Sequence, residues 1–101
     1  MPEASTVTQL LVQLKREGFA ANLGVVDGQL RVLDTGRVLP SDEVVIRAVH
    51  RFEGESDPDD MTVVYVLESK DGTRGVLVDA FGIYADPEVG AVLSTIPDDR
   101  A

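Results

Sequence analysis

The chain has no cysteine. Disulfides and thiolate zinc sites are thereby excluded. The composition suits a reducing compartment, so a cytoplasmic location is expected. Basic residues are scarce as well: 9 lysines and arginines stand against 18 aspartates and glutamates, for a net charge of −9. Nucleic-acid binding needs a basic face to neutralise phosphates, so nucleic acid is not an expected partner. The same deficit argues against an anionic membrane surface. It permits a cation or a protein partner with a basic surface, and its simplest effect is to keep a small protein soluble. No apolar run approaches the roughly 20 residues that a membrane-spanning helix requires. Residues 1–6 hold no basic stretch leading into an apolar one, so no signal peptide is expected.

Motifs that would announce chemistry are missing too. Gly72-Thr73-Arg74-Gly75 has too few glycines for a phosphate loop and no following lysine, and it falls in a hairpin rather than at a helix N-terminus. No serine lies in a Gly-x-Ser-x-Gly elbow. His50 is the single histidine, and one histidine cannot build a metal site unless carboxylates converge on it. Strand alternation puts it on an apolar face, where it reads as structural. No catalytic residue, metal or cofactor is assigned.

What is present describes one domain over residues 1–101, with 44% hydrophobic residues and room for one modest core. Residues 6–17 predict an amphipathic helix, because Val7, Leu10, Leu11 and Leu14 fall on one helical face. Ser5 suits the N-cap, Gly18 the left-handed position after the last turn, and Lys15 and Arg16 the negative end of the helix dipole. Asp27-Gly28 between alternating segments predicts a tight hairpin over residues 22–33, pairing Val25 with Leu30 and Leu23 with Val32. Ser41-Asp42-Glu43 suits one short helical turn.

A long strand is expected over residues 44–53, with Val44, Ile46, Ala48, His50 and Phe52 sharing one face. Further strands are expected over 61–68, which is rich in β-branched residues, and over 74–81. Asp86-Pro87-Glu88 opens a second helix with a cap, a proline at the first position and an acid in the first turn. Residues 97–101 read as a frayed tail. The order is α-ββ-βββ-α. The fold class expected is α+β, a mostly antiparallel sheet of about five strands with both helices on one face, in two layers.

The candidate binding residues lie in two segments. Glu53, Glu55, Asp57, Asp59 and Asp60 place five carboxylates within eight residues. Such a loop can attract a divalent cation or a basic partner, or can simply stay solvated; Pro58 and the spacing exclude an EF-hand. Asp79 interrupts an apolar strand and needs a partner if its face is buried. Arg51, Arg47 and His50 are the possible partners, and the arginines reach it only if both strands turn that face the same way. Tyr84 follows Gly82 at a strand end, where it can anchor an interface or pack over the sheet rim.

Several of these stretches carry a resemblance. Leu39-Pro40-Ser41-Asp42-Glu43, Arg51-Phe52-Glu53-Gly54, Pro58-Asp59-Asp60, Gly75-Val76-Leu77-Val78-Asp79-Ala80 and Gly82-Ile83-Tyr84-Ala85-Asp86 together resemble a family of bacterial proteins of about a hundred residues. Members of that family sometimes carry the label phosphoribosylpyrophosphate synthetase. The resemblance implies a single-domain fold and brings no catalytic residue. The loops by which a synthetase of that name holds pyrophosphate and ribose phosphate have no counterpart here. The function expected is a non-enzymatic accessory or interaction module working through the acidic loop, with a homodimer through a sheet edge as one form. The alternative is a regulatory domain that binds a small ligand or divalent cation.

Overall fold

The computed structural model describes residues 7–52, 62–80 and 86–96. Helix α1 (Val7–Arg16) leads into strand β1 (Ala21–Val26) and strand β2 (Gln29–Val32). A single 3-10 turn, Ser41–Glu43, precedes strands β3 (Val44–Phe52), β4 (Thr62–Ser69) and β5 (Arg74–Ala80), and helix α2 (Pro87–Leu93) follows. The order and the α+β class are those the sequence predicts. The Ser5 cap, the acidic loop and the 97–101 tail lie outside the described residues.

Local chemistry explains the boundaries. The end of α1 is closed by Gly18 at φ +100°, and the Phe19 N–H donates to the Leu14 carbonyl at 2.9 Å. Asp27 and Gly28 both take positive φ, 54° and 75°, the geometry of the tight turn whose twist matches a hairpin. The register of β1 with β2 is Leu23 to Val32 and Val25 to Leu30, as the turn requires. At the start of α2, the Asp86 carboxylate accepts from the Glu88 N–H at 2.9 Å and Pro87 fills the first position.

The five strands form one sheet in the order β2-β1-β5-β4-β3. Three of its four pairings are antiparallel, and β1 with β5 is parallel. The parallel pair needs no direct crossover, because β2, β3 and β4 intervene in the chain. It does need a close approach. A side chain at Gly75 would collide with the Ala21 carbonyl and Cβ of the neighbouring strand. Glycine here is what lets the hairpin seat against the three-stranded meander.

The helices do not share a face. Val89, Val92, Leu93 and Ile96 pack with Leu23, Leu30, Leu67 and Leu77 on one side of the sheet. Leu10 and Leu14 of α1 pack with Val64, Val66 and Val76 on the other. The molecule is therefore three-layered, helix on sheet on helix, and the two-layer expectation is corrected. The physical reason is visible in β4 and β5. Val63 to Leu67 and Val76 to Val78 are apolar at both parities, so each strand offers a hydrophobic surface to both sides.

Strand β3 also departs from simple alternation. Its register against β4 shifts between Ile46 and Ala48, a β-bulge at Arg47. Val44 and Ile46 join the α2 core, whereas Ala48 and Phe52 pack on the α1 side. The single face expected for Val44, Ile46, Ala48, His50 and Phe52 is thus split by one extra residue.

The sheet must curl. Leu39 runs beside β2, its N–H donating to the Leu30 carbonyl at 2.8 Å, and Val44 begins β3 at the opposite edge. Five spacings of a flat sheet would separate them by about 24 Å, at ~4.8 Å each. Five residues reach at most about 18 Å. Leu39 and Val44 meet in the α2 core, so the sheet is concave toward α2.

Candidate functional site

Of the candidates read from sequence, the structure places Arg51 and Asp79; Glu53, Glu55, Asp57, Asp59, Asp60 and Tyr84 lie outside the described residues. Val63 in β4 pairs with Arg51 on one side and with Asp79 on the other. The three form a row across the sheet, on the face that carries α2. The bulge at Arg47 is what turns Arg51 to that side. Arg47 itself faces the α1 side and holds Glu68. Of the two arginines, only Arg51 therefore shares a face with Asp79, and buried Val63 stands between them.

Asp79 has a job in the fold. Its carboxylate accepts from the backbone N–H of Asp86 at 3.4 Å, a long hydrogen bond that ties the end of β5 to the cap of α2. His50 pairs with Val64 and lies half-buried on the α1 face. Among the described residues no three His, Cys, Asp or Glu side chains gather to hold a metal ion.

Among the described residues a charge cluster lies at the other end of the sheet. Glu68 accepts from Arg47 at 2.8 Å and from Arg74 at 3.2 Å. These hydrogen bonds, Arg47 first, hold its carboxyl below the usual carboxylate range. Arg74 in turn lies over the Phe19 ring, 5.6 Å from its centroid. Arg37 and Asp71 form a further ion pair. All of these side chains are solvent-accessible, and the arrangement reads as a surface clasp across β3, β4 and β5.

Beyond a shallow hollow beside Glu68, the described residues form a concavity on each face. On the α1 side, Leu33 and Val78 are 54% and 46% exposed and line a groove with Leu11, Asn22 and Asp34. The Leu33 side chain lies over Gly24; a Cβ there would come within 2.9 Å of Leu33 Cδ2. Val78 sits two residues before Ala80, the partner of Thr62, which is the first described residue after the acidic loop. On the α2 side, a groove of about 610 Å³ runs between the strap 38–42 and α2. Leu30, Pro40 and Ala91 contribute its apolar lining, and Asp42 and Glu88 its carboxylates.

Sequence reasoning missed both concavities. The signal for the first was available: apolar residues at both parities in β5 imply two covered faces, and a helix of ten residues covers only part of one. The second depends on the strap lying beside α2, which no local pattern encodes.

The fold and its grooves thus define an acidic α+β domain with a mixed, curled sheet between two helices. No protein-family model matches the chain, and no curated protein or solved structure matches it either. No helix among the described residues is long and apolar enough to cross a membrane.

Proposed function

We propose that this protein is a non-enzymatic cytoplasmic interaction module whose partner is a protein with apolar side chains set in a basic surface. One observation carries the reading: Leu33 and Val78 leave adjacent apolar surface open on the α1 face, in a groove that Asp34 also lines, and Val78 lies two residues before Ala80, the partner of Thr62. A patch of this kind beside carboxylates matches the anatomy of a binding site with an apolar centre and a charged rim. The net charge of −9 supplies steering toward a basic partner. A homodimer would form through β3, an edge strand that no other described strand covers. The bulge at Arg47 divides its ladder into residues 44–46 and 48–52. The family resemblance is compatible with this reading and adds no activity to it.

The test compares three folded baits in an extract of the native host. They are wild type, the pair Leu33→Ser with Val78→Thr, and the set Glu55→Gln, Asp57→Asn, Asp59→Asn and Asp60→Asn. The expected result is one protein held by wild type and lost by both variants. Once purified, that protein should bind about tenfold more weakly when salt is raised from 50 to 500 mM, as exposed charges are screened. A partner retained by the apolar-patch variant overturns the reading.

A further inference from the structure

We propose that the groove on the α2 face binds a small organic cation, an ammonium or guanidinium group on an aliphatic or aromatic body. This site is independent of the interaction surface above, because it opens on the opposite side of the sheet. Its walls are the strap of residues 38–42 and the outer side of α2, and its cavity volume is about 610 Å³, enough for a small metabolite.

The lining selects the ligand. Val38, Pro40 and Ala91 present apolar surface over buried Leu30, and Val38 stays 38% exposed although it sits beside a core. Asp42 and Glu88 bring one carboxylate from each wall, and among the described residues no lysine or arginine lines the groove. Neither carboxylate forms an ion pair with a described residue. An anion would meet two like charges. A neutral apolar molecule would strip water from both carboxylates without replacing its hydrogen bonds, a loss that opposes binding. A bare divalent cation wants six or more oxygens, and two carboxylates on an otherwise apolar wall do not supply them. A cation with an apolar body satisfies both parts of the lining at once: its charged head pairs with Asp42 or Glu88 and its body covers Val38 and Ala91.

Sequence explains why the groove persists. Pro40 stiffens the strap, and the strap is taut because it joins opposite edges of the sheet. Ala91 is small, so α2 leaves space where a larger residue would close it.

The probe is hexylammonium, titrated into the full-length protein at low salt and followed by amide chemical shifts. Saturable shifts confined to Gly28, Leu39, Asp42, Ala91 and Thr95 are expected. Hexanoate, with the same body and opposite charge, should bind at least about tenfold more weakly. The pair Asp42→Asn with Glu88→Gln should lose about tenfold in hexylammonium affinity. Ala91→Leu, which fills the groove while favouring the helix, should abolish the shifts in a protein that still folds. Hexanoate binding as well as hexylammonium, unsaturable shifts scattered over the acidic surface, or undiminished binding to Ala91→Leu would each overturn the proposal.

Discussion

The two faces of the sheet are built to different degrees of completion. On the α2 side, twelve buried residues among those described, from both helix and sheet, close a core, and the curl of the sheet wraps them. On the α1 side five of the described residues do so, and Leu33 and Val78 stay open. The same strands feed both sides, so strand composition is not the cause. The difference comes from geometry. A concave face can enclose a helix with few residues left over, while a convex face is touched by a straight ten-residue helix only along a strip. The enclosed side is suited to holding the molecule together, and the open side to meeting something else.

The sharpest way to break that comparison is to empty each side from a single strand. Leu67 and Val66 are adjacent in β4 and point to opposite faces; Leu67 is 0% exposed. Leu67→Ala should lower the free energy of unfolding by about 3–4 kcal/mol, and Val66→Ala by about 2 kcal/mol. Urea denaturation measures both, and equal losses would mean that the two cores contribute alike.

A second change attacks the seam rather than a core. Gly75→Ala places a methyl group against the Ala21 carbonyl, where backbone cannot move aside. The expected loss is about 2 kcal/mol. It should come with faster hydrogen exchange in β1 and β2 than in β4, since the hairpin docks on the meander through this pair. Uniform exchange throughout the sheet would show that the hairpin and meander open as one unit.

The smallest effect concerns the clasp at Glu68. Arg47 and Arg74 lower its carboxyl in the folded state, so ionised Glu68 favours folding. The contribution is present above its unfolded value, near 4.3 for a free glutamate, and is lost as pH falls through the lower folded value. Wild type should therefore melt slightly above Glu68→Gln at pH 7, with the gap closing toward pH 3. A gap that widens on acidification would contradict the assignment.

Much of this architecture was legible before any coordinates. The Asp27-Gly28 turn, Gly18 after α1 and Asp86-Pro87 before α2 are local signals, each set by the conformational limits of a residue or two. Element order follows from them. The parallel β1–β5 pair, the opposite placement of the helices and the bulge at Arg47 were not legible, because each is decided between segments distant in sequence. Alternation through β3 suggested one face, and the bulge shows how a single inserted residue defeats a period of two. At the candidate site, the question of whether Arg51 and Asp79 face the same way was posed by sequence and answered by that bulge. The grooves depend on what lies opposite a residue, which composition cannot express.

The strap of residues 38–42 has a mechanical meaning. Hydrogen bonds set the spacing of strands but leave a sheet free to bend about their axes; here a short run of chain behaves as a drawstring between its two margins. The curvature of this protein is in that sense a matter of tether length. Residues added to the strap would slacken the arc and loosen the embrace of α2 without altering any strand pair, so the tightness of the larger core is set from outside the sheet.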